Sequence, residues 1–260
     1  MHQNPATVTG LYRYPVKGLT PEHLPQVTLS TGQTLPSDRR YAIENGPSGF
    51  DPAAPLHLPK IMFLMLMRNE RLAALRTHYD DATHVLTIKE NGAETARGDL
   101  ESAEGRAAIE QFFAVNFADE LRGPPKILIA DGHSFSDVNR KVVSIINLAS
   151  VAALEDVIGQ PVHPLRFRGN LHVTGWPAWR EFDLMDQVIS IGKTRLKIVK
   201  RTKRCAATNV DPVTAVRDLA IPKTLMDTYG HPDLGVYAEV IEGGTIAKGD
   251  AIEVEVPAFS

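Results

Sequence analysis

The sequence predicts an α+β fold dominated by β structure, and three observations carry that prediction. Short alternating or β-branched segments recur at close spacing, few segments have helical periodicity, and turn signals separate them without an internal repeat. At 260 residues with 43% hydrophobic content, the chain can bury a sizeable core and falls between one large domain and two small ones.

Taken in order, residues 8–16 (VTGLYRYPV) read as a strand that runs into a bend at Tyr14-Pro15. Residues 27–29 and 41–44 read as short strands on either side of a turn-rich segment, 30–38. The proline-rich stretch 46–58, with Gly46 and Gly49, is a loop of the length that often covers a site. Residues 60–74 are apolar and methionine-rich, which predicts a buried element in which Met62, Met65 and Met67 fill the core rather than bind a partner. Residues 83–89 form a further strand before the Asn91-Gly92 turn of a hairpin. Residues 101–117 have helical periodicity, with Ala108, Phe112 and Val115 on the apolar side.

Gly123-Pro124-Pro125 gives the best internal boundary, dividing the chain into 1–124 and 125–260, with a new strand over 126–130. Residues 147–158 read as a helix with Asn147 as candidate N-cap and Ser150 one turn on. Trp176, Trp179 and Phe182 fall in a loop, where they either wall a pocket or anchor the loop to the core. Residues 194–200 alternate as a strand, 219–231 are partly helical, and 235–241 form a strand containing Tyr237. In the closing stretch 243–256, Gly249-Asp250 is a turn between short strands.

A formal charge of −3 and a pI near 6.3 give no global attraction to nucleic acid or to an anionic membrane. The longest apolar run, 61–67, is too short to span a bilayer, and residues 1–10 lack the charged and apolar regions of a signal peptide, so cytoplasmic placement is expected. One cysteine excludes an intrachain disulfide, a multi-cysteine zinc site and a cysteine-ligated iron–sulfur cluster built from this chain alone. The nine histidines form no H-E-x-x-H pair, and there is no Walker A loop, G-x-S-x-G elbow or G-x-G-x-x-G fingerprint.

Residues 200–212 (KRTKRCAATNVDP) place that one cysteine, Cys205, directly after Lys200, Arg201, Lys203 and Arg204. Such a cluster favours thiolate, the form that attacks electrophiles or binds a soft metal. Cys205 is therefore either a small buried hydrophobe or a functional thiolate. Asp211-Pro212 reads as a turn just downstream.

The stretch 204–218 (RCAATNVDPVTAVRD) resembles the cysteine signature of MOSC-domain proteins, usually RC, then T, VDP and TG, with Ala215 where the family commonly has glycine. Four further segments resemble that family in the same order: YPVKG ending at Gly18, the Asp38-Arg39-Arg40 segment, FRGN ending at Asn170, and the closing G-x-I-x-x-G-D. The resemblance runs from Val8 to Val256 and implies a β-barrel core with peripheral helices, preceded by a β-rich N-terminal portion.

In the amidoxime-reducing branch of the family, the cysteine ligates the molybdenum of a pterin cofactor, which makes Cys205 the implied metal ligand and catalytic residue, with Arg204 beside it. The resemblance further implies cofactor contacts from Lys17, Gly18, Arg39, Arg168 and Asn170, and from the helix start at Asn147 and Ser150. Gly18 replaces a family serine, which removes a hydroxyl but leaves a backbone N–H that an anion can approach. The residues by themselves also admit an exposed lysine at position 17, a solvated charge pair at Arg39, and simple helix capping by Asn147 and Ser150.

The implied function is a molybdenum-cofactor (molybdopterin) oxidoreductase that reduces a small N-hydroxylated substrate. Its electrons would come from a reductase and a separate iron–sulfur or haem carrier, because this chain has neither a cluster nor a dinucleotide fingerprint. The alternatives are a sulfur carrier or cofactor-handling protein with a persulfide on Cys205, an architecture associated with pyridoxal phosphate, and a module that binds a polyanion through residues 200–204. No lysine has a context that marks it as a Schiff-base residue.

Overall fold

The structure, a computed structural model, describes residues 5–255, so Val256 and the first four residues lie outside the described residues. Its β elements are β1 (Ala6–Arg13), β2 (Glu22–Leu24), β3 (Gln26–Leu29), β4 (Ala42–Asn45), β5 (Arg76–Tyr79), β6 (Val85–Glu90), β7 (Ala93–Asp99), β8 (Pro125–Leu128), β9 (Val143–Asn147) and β10 (Leu171–Thr174). The later strands are β11 (Val188–Ile191), β12 (Thr194–Lys203), β13 (Asp233–Glu242), β14 (Gly244–Ala247) and β15 (Ala251–Val254). The helices are α1 (Ala103–Asn116), α2 (Leu148–Ile158), α3 (Arg180–Asp183) and α4 (Ile221–Tyr229). Most predicted strands lie within a few residues of the observed ones, and the fold is α+β with β structure predominant.

Seven strands close a barrel in the order β10-β9-β13-β12-β11-β15-β1, and β1 returns to pair with β10. Closure joins the two ends of the chain, because β1 lies between β15 and β10, with Ala6 opposite Ile252 and Leu11 opposite Leu171. Alternation fills the interior: Leu196 and Ile198 of β12, Ile189 and Ile191 of β11, and Val236 and Ala238 of β13 all point into one core. The register of β12 against β13 shifts between Ile198 and Lys200 and again between Arg201 and Lys203. Such irregularities bend a strand and re-aim its side chains, so Lys200, Arg201 and Lys203 are exposed while Thr202 and Arg204 are buried.

A second core lies between the hairpin sheet β5-β6-β7, the β4–β8 pair and α1, filled by Tyr41, Ile43, Tyr79, Ile88 and Phe113. The strand that follows Gly123-Pro124 therefore pairs back onto β4, with Ile127 opposite Ile43, while β1 belongs to the barrel. On α1, Ser102 caps the first turn through Gly105 N at 2.9 Å. Its buried side is Ile109, Phe112 and Phe113; Ala108 and Val115 face solvent, correcting the predicted face. Seven of the nine residues from Ala107 to Val115 are apolar and surround the helix, so periodicity alone does not fix the phase, and packing of Ile109, Phe112 and Phe113 against the neighbouring strands sets it.

The methionine-rich segment forms 3₁₀ turns at Lys60–Met62 and Glu70–Ala74, with Met65 buried and Met62 and Met67 only half-buried. Trp176 and Phe182 are anchored in the barrel core, and Trp179 packs against it.

Candidate functional site

Cys205 follows β12 as the chain leaves the barrel. Arg204 N donates to Pro232 O at 2.8 Å, and Cys205 O accepts from Thr208 N at 3.0 Å and Thr208 Oγ1 at 2.9 Å, opening the 3₁₀ turn Ala206–Asn209. Asp211 Oδ1 then gathers Val213 N and Thr214 N at 2.9 and 2.8 Å, the turn expected at Asp211-Pro212. Its other oxygen accepts from Arg166 Nη2 at 2.9 Å, which ties the cysteine loop to the segment before β10. The half-buried thiol is thus held in an ordered frame at a strand end.

Lys17, Gly18, Arg39, Arg168, Asn170, Arg204 and Cys205 all line one cleft, of about 930 Å³ with its open mouth included. The bend after β1 delivers Lys17, whose ammonium donates to Phe135 O at 2.8 Å and pairs with Asp137. Arg39 Nη2 donates to Arg168 O at 2.9 Å, and Arg168 Nη1 to Leu19 O at 2.8 Å. Both guanidinium groups lie over the buried ring of Tyr14, Arg39 at 4.5 Å and Arg168 at 4.3 Å from its centroid. Arg204 donates from Nε to Leu234 O at 2.7 Å and from Nη1 to Phe167 O at 2.8 Å.

The charges do not cancel. Arg39 is paired with Asp38, and Lys17 and Lys60 share Asp137, whereas among the described residues Arg168 and Arg204 have only carbonyl oxygens as hydrogen-bond partners. Burial brings Arg168 and Arg204 each down to about 10. Burial likewise lowers Lys17 from its ordinary value. Asp137 is pushed up by burial, but Lys17, Lys60 and Arg39 outweigh it and hold the carboxyl at about 2. A cleft with this surplus attracts an anion, because a half-buried and a buried guanidinium group lack a countercharge.

Asn147 and Ser150 are not brought into the cleft. Asn147 Oδ1 caps α2 through Ala149 N at 3.1 Å, and its amide nitrogen donates to Glu181 Oε2 at 2.8 Å. Ser150 Oγ donates to Glu181 Oε1 at 2.8 Å, so both side chains are spent on a buried carboxylate behind the barrel strands. Asn170 borders the cleft but works mainly as a barrel clasp: Oδ1 accepts from Ser144 N at 3.0 Å and Nδ2 donates to Tyr12 O at 3.1 Å. Of the basic residues before Cys205, only Lys203 and Arg204 line the cleft.

Several lining residues escaped the sequence reading. Lys60 lies beside Cys205 and Asp137, and their charges outweigh its burial and raise it above its ordinary value. Its one sequence signal is its place at the end of the proline-rich loop. Asp137 had no signal at all. Tyr237, raised by burial, sits on β13 opposite Lys200 of the cysteine strand, a pairing visible only once the register is known. Met65 and Met67 line the cleft, so the segment assigned to core filling also walls the site.

Fold and site together define a barrel protein that presents one thiol in a cation-lined cleft. Residues 5–121 match the family model of the MOSC N-terminal beta barrel domain, and residues 131–253 match that of the MOSC domain. The chain belongs to the MOSC-domain family. Among curated proteins it is similar to mitochondrial amidoxime reducing component 2 of Bos taurus, 31% identical over 122 residues, covering 42% of this chain and 36% of that protein. The same protein of Rattus norvegicus is 29% identical over 122 residues, with 42% and 36% covered. The matched stretch thus spans about a third of those relatives.

Among solved structures, the YUAD protein from Bacillus subtilis is 13% identical with a TM-score of 0.44, covering 96% of both chains. YiiM from Geobacillus stearothermophilus is 16% identical with a TM-score of 0.36, covering 44% of this chain and 54% of that one. Both scores fall below 0.5, so the family assignment rests on the family models.

Proposed function

We propose that the cleft holds a molybdenum–pterin cofactor with Cys205 as metal ligand, and that the protein is an oxidoreductase that reduces small N-hydroxylated compounds. The observation that carries this reading is a lone thiol in a cleft where half-buried Arg168 and buried Arg204 lack a carboxylate partner among the described residues. Those residues fit the group: a thiolate suits a soft metal, and unpaired guanidinium groups suit a pterin phosphate. Thr202 Oγ1, on the same wall and buried without a partner, is a further polar group for a polar ligand to meet.

When bound, the cofactor supplies two-electron chemistry at the metal. Cys205 would fix the metal at the end of β12, while Lys17, Arg39, Arg168 and Arg204 hold and orient the anionic part. Asp137 keeps the Lys17 ammonium in place and limits the surplus charge. Tyr237, raised above its ordinary value by burial, presents a hydroxyl on the wall. The overall change consumes two electrons and two protons, breaks the N–O bond and releases water. The electrons come from a separate iron–sulfur or haem carrier served by a reductase. Cytoplasmic placement belongs to the same proposal, as does a division into residues 1–124 and 125–260 in which β1 of the first part completes the barrel of the second. No helix of the described residues is long and apolar enough to cross a membrane.

Pyridoxal phosphate fits less well, since the buried lysine of the cleft, Lys17, keeps its ammonium in an ion pair instead of offering a free amine.

The test is molybdenum content after purification from a cofactor-proficient host. Near-stoichiometric metal is expected in the wild type, with loss in a folded Cys205→Ser variant, because a hydroxyl is a far weaker soft-metal ligand than a thiolate. Wild-type metal content in Cys205→Ser removes the ligand assignment, and labile sulfur without molybdenum moves the reading to a persulfide carrier. The loaded protein should be inactive with NADH alone and turn over an amidoxime once reductase and carrier are added.

A further inference from the structure

A second cavity adjoins the cysteine cleft and shares Gly18, Leu66, Arg166, Arg168 and Ala207 with it. It encloses about 860 Å³, open mouth included, within the range of small-molecule sites. Leu19, Pro21 and Ala73 from the first half of the chain form one wall; Val210, Pro212 and Val213, just past the cysteine, form the other. Arg76 staples the two walls together, with Nη1 donating to Ala73 O at 2.6 Å and Nη2 to Val213 O at 3.1 Å.

Among the described residues no carboxylate lines this cavity. Arg166 is neutralised by Asp211 and Asp218 and Arg168 is assigned to the cofactor, but Arg76 has only carbonyl partners among the described residues. The cavity is therefore apolar with a positive bias, which suits a neutral or negatively charged apolar group and penalises a cation. A pterin needs hydrogen-bond partners along its edges; beside its aliphatic residues this cavity offers Thr20, Thr77, His163 and the arginines, fewer than the cysteine cleft does. Val213 stands at the mouth 61% exposed, an apolar side chain left for a ligand to cover.

Building on the function proposed above, we propose that this cavity receives the apolar body of the substrate, and that it selects neutral or anionic aryl and alkyl N-hydroxy compounds over cationic ones. The shared wall at Leu66 and Ala207 places that body next to the cysteine cleft, where the N–O group reacts.

The test measures equilibrium binding of three probes to the 260-residue chain: benzamidoxime, its 4-carboxy derivative and its 4-trimethylammonium derivative. The first two should bind at least tenfold more tightly than the third. Val213→Asp, an exposed change that supplies the missing carboxylate, should shrink that ratio several-fold. Val213→Trp should weaken all three while molybdenum content stays at the wild-type level. Equal affinities for the three probes overturn the proposal, as does an ordering that neither Val213 variant alters. Lack of molybdenum in the wild type would defeat the cofactor reading and leave the order of probe affinities unchanged, so the two failures are distinguishable.

Discussion

Ala215 shows how a single residue carries a cost for the cysteine loop. It occupies φ 59°, the left-handed region where a Cβ is disfavoured by about 1–2 kcal/mol. The loop has thus kept the backbone that a glycine allows while replacing the glycine. Ala215→Gly should stabilise the protein by about 0.5–1 kcal/mol, the relief of strain less the entropy glycine adds to the unfolded chain. Urea denaturation measures it, and an unchanged or lower midpoint would refute the strain. Gly18 shows the converse. At φ 86° an added Cβ would lie 2.9 Å from Leu64 O, so serine cannot simply be restored here. Gly18→Ser should lower thermal stability by several degrees, whatever its hydroxyl offers an anion.

Elements compete on different terms. Within α1, Gly105→Ala should add about 1 kcal/mol by helix propensity alone. Yet the new Cβ would fall 2.1 Å from Asp99 O of β7, and the Cβ of an alanine at Gly98 would fall 2.1 Å from Gly105 O. Packing wins over propensity: Gly105→Ala should cost about 2 kcal/mol or more, because helix and hairpin must separate. A denaturation midpoint above wild type would mean that the two backbones do not touch.

On β10, His172 is buried against the Tyr12 ring at 4.7 Å with Nε2 unpartnered, and burial lowers it to about 4 from an ordinary 6.5. The unfolded chain therefore binds a proton that the folded one refuses between those values. Stability from this group is fully present above about 6.5 and falls away as pH drops toward 4, by roughly 3 kcal/mol at most. His172→Phe should flatten that part of the stability profile while leaving the neutral-pH value within about 1 kcal/mol. The same slope in variant and wild type would assign the acid sensitivity elsewhere.

At the scale of the whole molecule, the barrel and the cleft both draw on distant parts of the chain. β1 supplies the strand between β15 and β10, and Lys17, Arg39 and Lys60 face Arg168, Arg204 and Cys205. A fragment of residues 125–260 should therefore expose its barrel interior and bind a hydrophobic dye. Residues 1–124 added in trans should restore compactness. A monomeric, cooperatively folded 125–260 fragment would show that β1 is dispensable. Asn170 clasps the same seam by holding Ser144 N and Tyr12 O together. Asn170→Leu should cost about 2–4 kcal/mol, since a buried N–H and a carbonyl each lose a partner. Retention of wild-type stability would show that the clasp is not needed for closure.

The sequence by itself determined what local chemistry encodes. The β-rich class follows from alternation such as Leu196 and Ile198 against Arg195 and Lys197, the α2 cap from Asn147, and the hairpin turn from Asn91-Gly92. The ordered motifs around Gly18, Arg39, Arg168 and Cys205 marked the residues that meet in the cleft. The phase of α1 was not legible, because its apolar residues surround the helix and only packing against β7 and β8 selects a side. Tertiary structure alone decided that Asn147 and Ser150 serve Glu181, that Asn170 clasps the barrel, and that Lys60, Asp137 and Tyr237 join the site. The physical reason is that a motif specifies a residue type and its neighbours in the chain, whereas a side chain's partner depends on strand register and barrel closure. Those are set by the packing of segments more than a hundred residues apart, as Leu11 against Leu171 shows.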